Sequence, residues 1–379
     1  MTPVLPGSTI GFLGGGQLAR MSALAARSMG YDVHVLDPDP DCPAAAVASH
    51  VVTAAYDDID AASAFARTCH VITLDIEQVA PASIAAASLH APVHPGAAPI
   101  HIVQDRGRQK AWLQQNGFPV VPFQIAHSPR EVADAFAILG RSIAKTTSGG
   151  YDGRGQARIR SIHDLPAASA LTERATVVVE QWIELAGELS VMVARSSSGE
   201  VRTFPVSWNH HDNGVLTWAM TPAPISEGTA EAAITLASSI AAELGIVGLL
   251  AVELFVTTSD TLLVNELAPR PHNTFHATER ACLTSQFEQQ VRAVCGLPLG
   301  STALLASGAI VNVLGDLWPA DGTQPAWHRA LEVNGVRVHL YGKKLAKPGR
   351  KMGHLSAVGP TAESARDAVL DAYARLLPS

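Results

Sequence analysis

The chain is 379 residues long and carries a net charge of −7, which argues against a general nucleic-acid binder, because phosphate backbones need a basic face. Hydrophobic residues make up 47% and charged ones 16%, the balance of an ordered globular chain of about two to three domains rather than a disordered one. Its four cysteines, Cys42, Cys69, Cys282 and Cys295, form no C-x-x-C pair and no zinc-like spacing, and read as reduced, mostly buried thiols.

The N-terminus lacks the basic, apolar, small-residue order of a secretory signal, and no apolar run approaches the roughly 20 residues that span a bilayer. A cytoplasmic protein without membrane contacts is therefore expected. Residues 8–14 read as a short buried strand, followed by a glycine turn and by helical apolar spacing from Gln17 to Met29, with Gly30 as its stop. A second strand covers 31–36 and ends at Asp37. Residues 51–54 and 71–74 continue as strands around a helix near 59–67. This alternation predicts a parallel sheet with helices on both faces. Pro92, Pro95 and Pro99 mark a change of course.

Beyond the prolines a helix is expected from about 105 to 116, stopped by Gly117 and Pro119. Strands at 120–125 and 142–146 flank a helix at 129–139. Residues 176–218 are strand-rich, 229–244 form an alanine-rich helix, and 247–256 and 261–267 are two strong strands. A helix near 279–295 closes this region. Strands at 309–314 and 335–341 and a helix at 361–377 complete the chain.

Four local patterns carry chemistry. Gly14-Gly-Gly-Gln-Leu-Ala19 fits G-x-G-x-x-A between a strand and a helix, with Asp37 at the end of the next strand. That turn serves a nicotinamide dinucleotide, another phosphorylated or anionic ligand, or tight packing alone. Lys145 precedes a loop with four glycines in the seven residues 149–155, which suits backbone N–H groups folding over a polyphosphate; it is not a Walker A loop, and a flexible surface hairpin is the alternative.

Glu253 and Glu266 lie on the two strong strands. With Ser259 and Asp260 as the central pair of the turn, residue i faces residue 519 − i, so the two glutamates face each other. Facing carboxylates among apolar neighbours need a proton or a cation between them, and magnesium is usually held by such oxygens; a slipped register or a solvent-facing glutamate is the alternative. Arg270, His272 and Asn273 follow in a loop stiffened by Pro269 and Pro271, where an arginine can stabilise a transferring phosphoryl group or merely be solvated. Finally, Lys343, Lys344, Lys347, Arg350 and Lys351 form a basic run that reads equally as a phosphate-monoester site or an exposed loop.

Taken together, these residues resemble the ATP-grasp superfamily, and within it the carboxyaminoimidazole ribonucleotide synthetase family. The resemblance is carried by Gly14-Gly-Gly-Gln-Leu-Ala-Arg-Met21, Gln104-Asp-Arg106, Gly149-Gly-Tyr-Asp-Gly-Arg-Gly-Gln156, Asn265-Glu-Leu-Ala-Pro-Arg270 with His272-Asn273, and Gly349-Arg-Lys-Met-Gly-His354, in family order over nearly the whole chain. It implies a mixed α/β and α+β fold. A parallel-sheet, biotin-carboxylase-like N-terminal domain would cover 1–112. A central ATP-grasp domain would cover 113–299, and a small mixed C-terminal domain 300–379.

The resemblance further implies that ATP and bicarbonate give carboxyphosphate, which carboxylates the exocyclic amine of aminoimidazole ribonucleotide. ATP would meet Arg106, Lys145, the loop residues Gly150, Gly153, Gly155 and Gln156, the segment from Glu180 to Ile183, and Glu188, His211 and Asn265. Glu253 and Glu266 would hold Mg2+. Arg270, His272 and Asn273 would surround bicarbonate. Gln17, Asp75, Tyr151, Asp152, Arg154, Lys343 and Arg350 would bind the ribonucleotide.

Two positions depart from the family's pattern: Asp75 replaces a common glutamate, with Glu77 two residues on, and Ser207-Trp-Asn-His-His-Asp212 differs from the usual Glu-Asn-x-His. The resemblance also implies a homodimer. The competing readings are a formate-using glycinamide ribonucleotide transformylase, a nicotinamide-dependent oxidoreductase resting on the first turn, and a non-catalytic nucleotide sensor.

Overall fold

The computed structural model describes residues 2–149, 155–212, 214–319 and 322–377. The N-terminal region alternates as expected: β1 (Thr9–Leu13), α1 (Gln17–Ser28), β2 (Asp32–Asp37), β3 (His50–Thr53), α2 (Ile59–Ala66), β4 (Val71–Leu74), α3 (Pro81–Ala87), β5 (Val93–His94) and α4 (Ala97–Val103). The strands form one parallel sheet in the order β3-β2-β1-β4-β5. β4 is buried along its whole length, as a parallel strand covered on both faces must be. α1 stops where Gly30 takes φ +87°, a conformation that costs glycine little.

Helix α5 (Arg106–Gln115) leads onward, its start capped by the Asp105 side chain, which accepts from the Arg108 N–H. Then come β6 (Phe123–Ala126), α6 (Pro129–Leu139), β7 (Ser142–Thr146), β8 (Gln156–Ile159), α7 (Leu165–Ser169) and β9 (Val177–Gln181), whose strands form an antiparallel sheet ordered β6-β9-β7-β8.

The remaining elements are β10 (Leu185–Arg195), β11 (Val201–Thr203), β12 (Ser207–Asp212), β13 (Val215–Thr221), α8 (Glu227–Glu243), β14 (Gly248–Thr257), β15 (Leu262–Ala268), α9 (Thr278–Ala281), α10 (Gln286–Val294), β16 (Ser307–Leu314), α11 (Trp327–Leu331), β17 (Val336–Leu340), β18 (Lys351–Gly359) and α12 (Ala362–Ala374). Their strands join one sheet, ordered β15-β14-β10-β12-β13-β16-β18-β17, with β11 pairing on β10. The C-terminal strands thus extend the central sheet through the β13–β16 pair.

Two sequence expectations fail here. The helix anticipated near 279–295 is broken into α9 and α10, because Cys282 bridges to Leu304 and the Ser285 side chain caps a fresh start at the Glu288 N–H. Strand β18 was not anticipated. Its Gly353, His354 and Ser356 interrupt the apolar run, yet it lies between β16 and β17 with Met352 to Ala357 buried.

One apolar core runs from Leu13 and Leu74 of the first sheet through Leu113 of α5 to Val191 and Leu254 of the large sheet. Helix α5 therefore sits at the junction of the sheets, where the polar residues gather.

Candidate active site

The glycine turn uses its own amides. The Gly15 N–H donates to Asp37 Oδ2 at 2.7 Å, the Gly16 N–H to Asp75 Oδ2 at 2.7 Å, and the Ala19 N–H to Asp75 Oδ1 at 2.5 Å. Asp37 also accepts from the Tyr56 hydroxyl and the Asp39 N–H, so it is not placed as a ribose acceptor. Two carboxylates thus occupy the Gly15, Gly16 and Ala19 amides at the start of α1, which among the three readings of the turn favours tight internal packing and speaks against a dinucleotide. Burial raises the Asp75 carboxyl above its ordinary range, against the pull of the Ala19 N–H, Arg270 and the Gly16 N–H.

A cationic pocket lies on the α5 side. Lys145 on β7 donates to Glu180 Oε2 at 2.6 Å, and Lys110 on α5 stands 3.2 Å from Glu180 Oε1. Burial alone would raise the Glu180 carboxyl, but Lys145, Lys110 and Arg106 outweigh it and hold it well below the carboxylate range. Arg106 reaches Glu266 at 3.3 Å. Gln156 opens β8 opposite Lys145, and Gly155 takes φ +69° beside it. Ile183 lies in the connection from β9 to β10. Further along β10, Glu188 meets His211 at 3.0 Å, which brings together two residues far apart in sequence. Gly150, Tyr151, Asp152, Gly153 and Arg154 lie outside the described residues.

Between the pockets stand the two glutamates. Glu253 does pair with Glu266, but by another route than the uniform register expected. The turn is a three-residue loop with Asp260 at φ +58°, so Val256 faces Leu262 rather than Leu263. A bulge at Asn265 then restores the anticipated partner at Glu266. The Asn265 Oδ1 at that bulge is buried and has no hydrogen-bond partner among the described residues. Two carboxylates and an orphaned amide oxygen form an oxygen-only donor set, which fits a magnesium ion.

On the other side, Arg270 Nε pairs with Glu77 at 2.7 Å and His272 Nε2 with Glu253 at 3.1 Å. Burial would raise Glu253, but His272, His211 and Lys351 draw it below the ordinary range. Gln17 donates to Asn273 at 3.2 Å and accepts from Lys343 Nζ at 2.7 Å, so α1 meets the C-terminal strands here. Of the basic run, Lys343 turns toward this cleft. Lys344 pairs with Asp41 at 2.6 Å, and the Arg350 guanidinium donates to Leu345 O within its own loop. A cavity of about 660 Å3 beside Lys343 is lined by Trp318, Gln324 and Met352 among others.

Sequence reasoning missed Lys110 and Gln109, both buried on α5. Their signal was faint: two polar residues where a helix crossing a core should be apolar. It also missed a histidine stack behind Asn273. The His276 and His354 rings lie 4.4 Å apart, and His339 and His354 5.1 Å apart at 11°. Burial holds His276 and His354 well below the usual histidine range, and burial with Arg20 and Arg337 pushes His339 to about 4. Although Glu279, His339 and His354 bring ligand atoms within 4.8 Å of one another, the stacked rings and adjacent arginines make this packing rather than a cation site.

The chain matches the model of the ribonucleotide synthetase preATP-grasp domain over 7–104, the ATP-grasp domain over 111–287 and the phosphoribosylaminoimidazole carboxylase C-terminal domain over 308–368. It is 42% identical to the N5-carboxyaminoimidazole ribonucleotide synthase of Bacillus subtilis, over 93% of this chain and 92% of that one. It is 41% identical to the synthase of Brucella melitensis, over 95% and 98%. An ADP complex of an N5-carboxyaminoimidazole ribonucleotide synthetase superposes with a TM-score of 0.93 at 40% identity, covering 98% of each chain. The Aspergillus clavatus synthase in complex with ADP and 5-aminoimidazole ribonucleotide superposes at 0.90 and 29% identity, over 97% and 98%.

Proposed function

Because the chain belongs to the N5-carboxyaminoimidazole ribonucleotide synthase family of ATP-dependent ATP-grasp ligases, we propose that it carboxylates the exocyclic amine of 5-aminoimidazole ribonucleotide, using ATP and bicarbonate. The observation that carries this reading is the Glu253–Glu266 pair standing between two pockets. One holds Arg106, Lys145 and Glu180; the other holds Arg270, His272, Asn273 and Gln17.

In this reading ATP lies along β7 and β9. Lys145 and Arg106 neutralise its phosphates, Glu180 opens the segment through Ile183 that meets adenine, and Glu188 and His211 meet the ribose side. Glu253, Glu266 and Asn265 hold Mg2+, which when bound supplies charge neutralisation for phosphoryl transfer. Bicarbonate attacks the γ-phosphorus, giving ADP and carboxyphosphate. The amine then takes up the carboxyl group as phosphate leaves. Arg270, His272 and Asn273 orient bicarbonate by charge and hydrogen bonding. Lys343 and Gln17, with Arg350 and the loop residues Tyr151, Asp152 and Arg154, hold the ribonucleotide. Asp75, expected to bind the ribonucleotide, has both carboxylate oxygens taken by the Gly16 and Ala19 N–H groups, so in this reading it acts from behind, by fixing the turn that presents Gln17. Carboxyphosphate hydrolyses readily, so the site must exclude water. We infer a cytoplasmic homodimer with functional units at 1–112, 113–299 and 300–379. Among the described residues no helix is long and apolar enough to cross a membrane.

The test is ADP formation from ATP with magnesium and bicarbonate, with and without 5-aminoimidazole ribonucleotide. Stimulation by the ribonucleotide that vanishes without bicarbonate supports the reading. Stimulation by formate and glycinamide ribonucleotide instead moves the substrate assignment, and no ADP under any condition overturns it.

A further inference from the structure

Residues Arg106, Gln109 and Lys110 occupy one face of one turn of α5, and all three are spent on a short stretch of β15. Arg106 pairs with the Glu266 side chain at 3.3 Å. Lys110 donates from Nζ to Val264 O at 3.3 Å. The Gln109 amide takes both backbone groups of Leu267: its Oε1 accepts from the Leu267 N–H at 3.2 Å and its Nε2 donates to Leu267 O at 3.4 Å. These contacts bracket Asn265 and Glu266, the two residues at the bulge. Gln109 is 2% exposed and Lys110 0% exposed, so water cannot stand in for either.

β15 is the edge strand of its sheet, so its outward backbone groups have no ladder partner, and the bulge at Asn265 changes which residues point theirs outward. Here α5 supplies partners for Val264 O before the bulge and for the Leu267 N–H and O after it. Without them the strand has an alternative: the register set by the turn could continue through Glu253, which would place Asn265 opposite it and turn Glu266 to the other face.

We propose that Gln109 and Lys110 are positioning residues for the metal site, holding the β15 bulge so that Asn265 and Glu266 both face Glu253. This rests on the assignment of Glu253, Glu266 and Asn265 to the metal. Lys110 adds a second link, because the same ammonium grips Glu180 and so ties the strand to the pocket of Lys145.

The test uses the full chain and Mn2+ as the probe, titrated by electron paramagnetic resonance in the presence of ADP, with ADP affinity measured separately in chelator. Gln109→Leu is expected to weaken Mn2+ binding about 10-fold or more, the size of an outer-shell loss, with chelator-measured ADP affinity unchanged. Lys110→Met is expected to weaken Mn2+ binding in the same direction. If Gln109→Leu does not fold, Gln109→Glu serves: it keeps the acceptor for the Leu267 N–H, loses the donor, and should weaken Mn2+ binding by less. A lowered melting midpoint with wild-type Mn2+ binding in the Gln109 variant would make the clamp purely structural and overturn the proposal. Glu266→Gln is the control. Wild-type Mn2+ binding there removes the metal assignment itself, and the clamp's role with it, a different pattern from failure of the Gln109 variant alone.

Discussion

Removing the Glu180 carboxylate should expose how much of this protein's stability hangs on one buried charge triplet. Glu180 is 3% exposed and Lys110 0% exposed, and Glu180 stands 2.6 Å from Lys145 and 3.2 Å from Lys110. In Glu180→Gln, Lys110 stays charged without a counter-ion or gives up its proton. The first course costs about 3–5 kcal/mol, as for any buried pair broken on one side. The second costs roughly 4.6 kcal/mol at pH 7, at about 1.4 kcal/mol for each pH unit below its ordinary pKa. Either way the loss is a large share of a stability of about 5–15 kcal/mol. At about 2–4 °C per kcal/mol, the melting transition of the central region should fall by about 6–20 °C.

The pH dependence identifies the cause. Burial already lowers the Lys110 pKa against the pull of Glu180, and the variant lowers it further. Between that depressed value and the unfolded one, the unfolded chain binds more protons, so the variant's stability rises with pH. At pH 9.5 deprotonation costs only about 1.2 kcal/mol, and most of the deficit should be gone. Thermal unfolding of wild type and variant at pH 7 and 9.5 measures both, and Glu180→Gln with Lys110→Met should regain much of the loss. A deficit under about 1 kcal/mol at pH 7, or an equal deficit at both pH values, would refute this account of the triplet.

Glu266→Gln should leave the melting midpoint within a few degrees of wild type while cutting metal-dependent ADP formation more than about 100-fold, beyond the range of an outer-shell loss; a steady-state assay over a magnesium series checks it. Gly16→Ala should cost about 1–3 kcal/mol in thermal unfolding, because a Cβ there runs into the Asp75 carboxylate that holds the turn. The Glu188–His211 pair sets a pH window. Burial lowers the His211 pKa, but hydrogen bonding and charge from Glu188, with charge from Glu253, raise it overall. A raised histidine adds stability that is complete below the unfolded pKa of about 6.5 and is lost as pH rises through the folded value. Glu188→Gln should flatten the stability difference between pH 6 and pH 8.5, and an NMR titration of His211 should show its pKa moving down.

Much of the fold was legible because its periodicities are strong and local. Strand β4 and helix α6 fall where they are expected, at 71–74 and 129–139, and α6 is bounded locally, by the Ser128 side chain accepting from the Glu131 N–H and by Gly140 at φ +67°. The break between α9 and α10 was not legible, because a bridge to Leu304 decides it and nothing local announces that contact. Strand β18 was hidden for the same reason: its glycine, histidine and serine become strand residues only once β16 and β17 flank them.

At the site, the sequence by itself determined which chemical groups are present: the lysine before a glycine loop, two glutamates on a hairpin, an arginine and histidine in a stiff loop. Hairpin geometry even predicted that Glu253 faces Glu266. Only the tertiary structure decided what those groups do to one another. It filled the glycine turn with Asp37 and Asp75, turning an apparent anion site into a scaffold for Gln17. It moved the hairpin register by one and returned it with a bulge at Asn265, which helix α5 holds from residues more than 150 positions away in the chain. Local sequence constrains dihedrals and periodicity, whereas charge pairing and backbone satisfaction in a core depend on whatever distant segment packs there.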